Sequence, residues 1–172
     1  MTDKQVNRML EQLRDAAGNF EKQTSDLKAI TTVEQLQPLI KANTRLQEVL
    51  TEAKTYFTEV RSSIPHEAGI PPAKELAQLV IGGATETLRA TKETQQYLQE
   101  LQTNLSRKLR SLRSSDALHF LEFSTKEVLR GTRYIIKRIT DFLEPPPGKA
   151  KPPSSSLPTQ AETPPTSRRR KT

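Results

Sequence analysis

Apolar residues recur at alternating intervals of three and four positions through most of the first 144 residues of the chain. This spacing brings them onto one face of an α-helix, whereas a half-buried strand would require a period of two. Short polar or proline-containing stretches divide the pattern into four helices, at approximately residues 3–30, 33–64, 73–113 and 116–143. No segment carries a strand pattern of comparable strength. The sequence therefore predicts an all-α fold with coiled-coil-like helix packing.

Each predicted helix carries one apolar seam. On the first helix the seam is Val6, Met9, Leu13, Ala16, Phe20, Gln23, Leu27 and Ile30. On the second it is Val33, Leu36, Leu39, Ile40, Leu46, Val49, Leu50, Ala53, Phe57, Val60 and Ile64. On the third it is Ala77, Ile81, Ala84, Leu88, Thr91, Gln95, Leu98, Gln102, Leu105, Leu109 and Leu112. On the fourth it is Leu118, Leu121, Thr125, Val128, Thr132, Ile135, Ile139 and Phe142. The centre of the third seam is small and polar, so we expect close or water-containing packing there.

The connections between the helices are short, which makes successive helices antiparallel. Two capping boxes fit the start of the second helix, Thr31 with Glu34 and Thr32 with Gln35. A proline-rich loop at residues 65–72 precedes the third helix, and Asp116 supplies an N-cap for the fourth. We therefore expect an up-down-up-down four-helix bundle over residues 1–144. The alternative is a pair of helical hairpins that separate and pair with those of a second copy. The sequence therefore does not decide between a monomer and a homo-oligomer.

The composition changes abruptly after residue 144. Residues 145–172 hold eight of the twelve prolines, no aromatic residue and a single leucine, too little apolar surface to offset the entropy of ordering. We expect a disordered tail, with a net charge of +5 out of +7 for the whole chain. It ends in the basic cluster Arg168, Arg169, Arg170 and Lys171. Thr163 precedes a proline and matches a proline-directed phosphorylation site, where a phosphate would offset part of that charge.

Residues that carry chemistry are scarce. With no cysteine and only His66 and His119, thiol catalysis and cysteine zinc sites are excluded. No Glu-x-x-His occurs and no seam contains a glutamate, which argues against a di-iron bundle. The six glycines form no phosphate-binding loop. We expect a protein without catalytic residues, metal site or cofactor, and hence not an enzyme.

The pair Gly82-Gly83 interrupts the third helix pattern, where each glycine costs about 1 kcal/mol relative to alanine. Close helix packing or a kink accounts for the pair better than a hinge does, because small residues permit close approach. The sequence leaves both explanations open.

Basic residues suggest an acidic partner. One group lies near the end of the third helix, Arg107, Lys108, Arg110 and Arg113. A second recurs at helical spacing on the fourth helix, opposite its apolar seam: Lys126, Arg130, Arg133 and Lys137. Together with the tail cluster these residues are candidates for binding an acidic partner. That partner would be a microtubule-like protein surface, an anionic lipid or a nucleic acid. Only Tyr134 lies among these residues, so a stacking platform for single strands is missing and nucleic acid is the less favoured partner.

These features favour a non-enzymatic helical adaptor or structural subunit that binds other proteins through helix faces, with electrostatic help from the tail. The alternative function is an electrostatic binder of an acidic polymer. The longest apolar run, residues 79–84, is far shorter than the roughly 20 residues that span a bilayer. No apolar stretch near the start of the chain resembles a signal peptide. We therefore expect no transmembrane segment and a location in the cytoplasm, including the cytoskeleton, or in the nucleus.

Overall fold

The computed structural model describes residues 3–64, 72–106 and 116–144. It contains α1 (Asp3–Gln23), a short 3₁₀ helix (Leu27–Ala29), α2 (Val33–Ser63), α3 (Pro72–Ser106) and α4 (Asp116–Leu143). No strand occurs among these described residues. The predicted all-α fold is therefore confirmed.

The four helices pack as antiparallel neighbours around a common core. Gln5 near the start of α1 accepts a hydrogen bond from Tyr56 near the end of α2. Contacts between α3 and α4 run in opposite directions along the two helices, in the pairs Tyr97–Phe120, Thr94–Ser124, Thr87–Gly131 and Gly83–Ile135. Glu21 of α1 and Arg133 of α4 close the ring with an ion pair. This is the up-down-up-down four-helix bundle that the short connections predict.

The predicted seams of α1 and α4 form much of the core. On α1 the buried seam residues are Val6, Met9, Leu13, Ala16 and Phe20. On α4 they are Leu118, Leu121, Thr125, Val128, Thr132, Ile135 and Ile139. Heptad-like spacing identifies these positions because it places one narrow stripe of each helix toward the bundle axis.

The seam of α3 differs from its prediction at alternate positions. The buried positions that keep a spacing of three and four are Ala77, Val80, Ala84, Thr87, Thr91, Thr94, Leu98 and Leu101; Lys74, Leu76 and Ala90 are buried beside them. Of the described positions of the predicted seam, Leu105 is only half-buried. At four others the buried residue lies one position earlier: Ile81, Leu88, Gln95 and Gln102. At two of these shifted positions the buried side chain meets a small residue of α4: Thr87 lies against Gly131, and Thr94 bonds to Ser124. The predicted small and polar centre of α3 is thus built from threonines rather than from Gln95.

The first helix ends earlier than the apolar spacing indicates. The hydroxyl and the N–H of Thr24 both donate to the Phe20 carbonyl, at 2.9 and 3.0 Å, and α1 ends at Gln23 instead of residue 30. Threonine, serine and aspartate at 24–26 offer the backbone local hydrogen bonds that compete with a continuing helix. The seam residue Leu27 is still buried, on the 3₁₀ helix.

The start of α2 selects one of the two predicted capping boxes. Thr32 Oγ1 accepts from the Gln35 N–H at 3.2 Å, and Gln35 Oε1 accepts from the Thr32 N–H at 3.0 Å. This reciprocal pair satisfies N–H groups that have no partner within the first turn of a helix. Pro38 lies inside α2.

By its internal contacts the chain divides into two units, Met1–Ile139 and Thr140–Thr172. The packing described above belongs to the first unit. Of the second unit the structure describes residues 140–144, where the Glu144 N–H donates to the Thr140 carbonyl at 2.8 Å. The tail expected to be disordered, residues 145–172, lies outside the described residues. No helix in the described part of the chain combines the length and the apolar character needed to cross a membrane.

Candidate functional site

The basic stripe predicted on α4 is exposed but interrupted by acids. Lys126, Arg130, Arg133 and Lys137 all lie on the solvent-facing side of the helix. Arg130 pairs with Glu127 one turn earlier, and Arg133 pairs with Glu21 of α1. In the described part of the chain this surface therefore has mixed charge, which reduces its attraction for an acidic polymer.

The other residues of the predicted basic surface lie outside the described residues. These are Arg107, Lys108, Arg110, Arg113, Arg168, Arg169, Arg170 and Lys171. His66 and the predicted phosphorylation site Thr163 also lie outside them. His119 is exposed on α4, with its ring edge toward Phe120. Among the described residues no cluster of three or more histidine, aspartate or glutamate side chains is arranged to hold a metal ion.

The most distinctive surface of the described chain is a row of exposed aromatic side chains on α4. Phe123 is 63% exposed, Phe120 is 47% exposed and Tyr134 is 37% exposed. Phe123 and Tyr134 are eleven positions apart, close to three full turns of an α-helix, so they project on the same side. Exposed aromatic side chains are enriched at protein–protein interfaces, whereas soluble surfaces seldom group them.

Phe123 and Tyr134 border a groove between α3 and α4. Its floor consists of small residues, Gly83, Thr87, Ala90 and Gly131. Its two rims carry larger side chains: Glu86, Arg89 and Glu93 on α3, and Phe123, Glu127, Arg130 and Tyr134 on α4. We call this feature the α3–α4 groove.

The residues of the floor have small or no side chains because the two helices approach closely there. A Cβ atom added at Gly131 would lie 2.0 Å from Thr87 Oγ1, so a larger residue fits there only if Thr87 or one of the two helices shifts. A Cβ at Gly83 would lie 3.2 Å from Ile135 Cγ1, which is tighter than ordinary contact. About two turns from the Thr87–Gly131 contact, Thr94 Oγ1 donates to Ser124 Oγ at 2.9 Å within the buried interface. Small residues on both helices thus bring the backbones together and expose the groove above them.

The same contacts account for one half of the glycine pair. Gly83 packs against Tyr134 and Ile135, which supports helix packing as its reason. Gly82 is exposed, and a Cβ added there would meet no atom within 4 Å. Nothing in the packing explains Gly82.

The rims of the groove combine aromatic faces with paired charges. Tyr97 of α3 stacks on Phe120, with ring centroids 5.6 Å apart, and the Arg138 guanidinium lies 5.1 Å from the centre of the Tyr134 ring. A hydrogen bond with Glu86, together with the charges of Glu86 and Glu93, raises the pKa of the exposed Arg89 guanidinium above its ordinary value. The rims therefore offer apolar contact area flanked by fixed charges of both signs.

Sequence reasoning did not identify the aromatic row, because it followed the residues that repeat along each seam. Phe120 and Phe123 are apolar residues of α4 that lie off its seam, so the core does not account for them. Large apolar side chains off the seam of an amphipathic helix were the available signal.

No protein-family model matches this chain, and comparison with curated proteins and with solved structures finds no significant match.

Proposed function

We propose that this chain is a non-enzymatic helical adaptor or structural subunit that binds a protein partner through the α3–α4 groove. The observation that carries the proposal is the row of exposed aromatics on α4, beside a groove whose floor is made of glycine, alanine and threonine. In the described residues the buried polar side chains are threonines, a serine, an asparagine and one lysine, so no carboxylate or imidazole lies in the core. That composition supports a binding role rather than catalysis.

The mechanism would be docking of a helix in a groove. An amphipathic partner helix presents apolar side chains at intervals of three and four residues, and these would fill the space above Gly83, Ala90 and Gly131. Phe123 and Tyr134 would serve as anchors, because a few aromatic side chains commonly supply most of the binding energy of an interface. The paired charges on the rims would then select partner orientation more than they add affinity.

A pull-down with three full-length baits tests this proposal: the natural chain, Phe123→Glu and Thr55→Glu. Thr55 is exposed on α2 and receives the same charge change, so it is the matched control. We expect partners retained by the natural chain and by Thr55→Glu to be lost with Phe123→Glu. Equal recovery of every partner by the Phe123→Glu bait would refute the groove as the binding surface.

A further bait ending at residue 144 separates the contributions of the bundle and the tail. Partners that require the groove should still bind this bait if the tail only modulates recognition. Partners that disappear with the tail but tolerate Phe123→Glu would instead identify the basic tail as the recognition element.

The second candidate function is electrostatic binding of an acidic polymer. It is favoured by the alignment of Lys126, Arg130, Arg133 and Lys137 on one exposed face of α4. Binding to a polyanion should then weaken steeply as salt rises from 50 to 200 mM, on the order of 10³-fold for six phosphate contacts. Partner binding that is insensitive to salt but sensitive to Phe123→Glu would favour the adaptor.

A further inference from the structure

We infer that one partner of the α3–α4 groove is a second copy of this chain, docked so that the two α4 helices run antiparallel across a twofold axis. This inference rests on the proposed function, because it uses the same aromatic row as the contact surface. It goes further by naming the occupant and the residues that face each other.

The side chains along the exposed edge of α4 are arranged symmetrically about one point of the helix. Phe123 and Tyr134 lie at equal distances on either side of a point between residues 128 and 129, and Glu127 and Arg130 lie symmetrically about the same point. A twofold axis through this point would place Phe123 opposite Tyr134 of the second copy. The same axis would place Glu127 opposite Arg130 of the second copy. A twofold interface requires such self-complementarity. If a residue of the first copy contacts a second residue on the other copy, the same two residues must also meet with the copies exchanged.

The charges favour this pairing over two α4 helices in parallel. A parallel arrangement in register would bring Glu127 near Glu127 and Arg130 near Arg130, which is repulsive at both positions. The antiparallel arrangement instead joins the two intrahelical Glu127–Arg130 ion pairs into one cluster of four alternating charges. Charge networks of this kind set orientation and discriminate against mismatched partners.

The α3 rim is compatible with the same docking. It carries the acids Glu86 and Glu93, which the twofold axis would bring near those of the second copy. Arg89 interacts with both acids, and it therefore supplies a counter-charge on each side. The main contact would be between the two α4 helices, where the aromatic area is exposed.

The aromatic side chains provide the apolar part of the contact. Phe123 leaves 63% of its surface in water in the single chain, and Tyr134 leaves 37%. Stacking each against the other across the axis would remove both from water in two equivalent places. Arg138 already lies over the Tyr134 ring, so it would cover the outer edge of each aromatic pair.

The test measures association of the full-length chain by sedimentation equilibrium over a range of concentrations. We expect the natural chain and the Thr55→Glu control to form dimers. Phe123→Glu should weaken dimerisation by at least about tenfold, as expected when a central aromatic contact is lost. A natural chain that stays monomeric at every concentration would overturn the inference. A dimer whose association Phe123→Glu leaves unchanged would also overturn it. That result is expected for a dimer formed by exchange of helical hairpins.

Charge reversal gives a sharper test of the facing residues. Glu127→Arg and Arg130→Glu should each dimerise more weakly than the natural chain. An equimolar mixture of the two variants should associate, because the positive face of one meets the negative face of the other. The intrahelical pair stays broken in both variants, so recovery in the mixture reports the contact between copies alone. A mixture no more associated than either variant by itself would rule out this axis.

Failure of this inference and failure of the proposed function are distinguishable. A monomeric chain whose partners in the pull-down still depend on Phe123 would remove the second copy and keep the groove as a binding surface. Melting curves of all variants check that the bundle is folded, since the substituted side chains are exposed or half-buried.

Discussion

Substitution of Gly131 by alanine tests how closely α3 and α4 approach. The added methyl group would lie 2.0 Å from Thr87 Oγ1, 3.0 Å from its Cβ and 3.2 Å from its Cγ2. Rotating the threonine would relieve the first contact but not the second, because Cβ does not move with χ1. The two helices must therefore separate, or the side chains must leave their preferred rotamers.

The magnitude follows from two opposing effects. Alanine is favoured over glycine by about 1 kcal/mol in the interior of a helix. Overpacking a close interface costs about 1–3 kcal/mol. Gly131→Ala should therefore range from about neutral to about 2 kcal/mol destabilising. Gly82→Ala, with open space around the new methyl group, should be stabilising by up to about 1 kcal/mol.

Urea denaturation followed by circular dichroism measures the difference directly. We expect Gly131→Ala to be less stable than Gly82→Ala by about 1–3 kcal/mol. The double variant Thr87→Ala/Gly131→Ala should recover part of the loss, with a coupling energy of at least about 0.5 kcal/mol. If Gly131→Ala proved as stabilising as Gly82→Ala, the close approach that forms the groove floor would be refuted.

Two further stability predictions follow from the core and from the start of α2. Leu121→Ala and Ile135→Ala should each destabilise the bundle by about 2–5 kcal/mol, since both side chains are fully buried. A loss below about 0.5 kcal/mol, measured by denaturant unfolding, would contradict the seam of α4. Thr32→Ala should lower the free energy of unfolding by about 0.5–2 kcal/mol, because it removes one half of the capping box. Thr31→Ala leaves that reciprocal pair intact and should lower it less. Equal losses would contradict the assignment of the cap.

The candidate site was only partly predictable from the sequence. The basic residues of α4 follow from their spacing opposite the seam, and the structure places them on the exposed face. The pairing of Arg133 with Glu21 could not be derived in the same way, because Glu21 is on a different helix. The aromatic residues of α4 can be read from the sequence, but their exposure cannot be predicted from it. The exposure of Phe123 depends on how α3 packs beside α4.

The sequence by itself determined much of the secondary structure of this protein: four helices, most of the seams of α1 and α4, and a capping box at the start of α2. These features depend on residues three or four positions apart, so the local chain encodes them. Tertiary structure decided which side of α3 is buried, because neighbouring positions differ by only 100° around a helix axis and the approach of α4 selects between them. It also decided that Gly131 packs so closely against Thr87 that an added Cβ atom would clash, and that the aromatics of α4 remain in water. Both depend on the distance between two helices, which no local pattern of residues specifies.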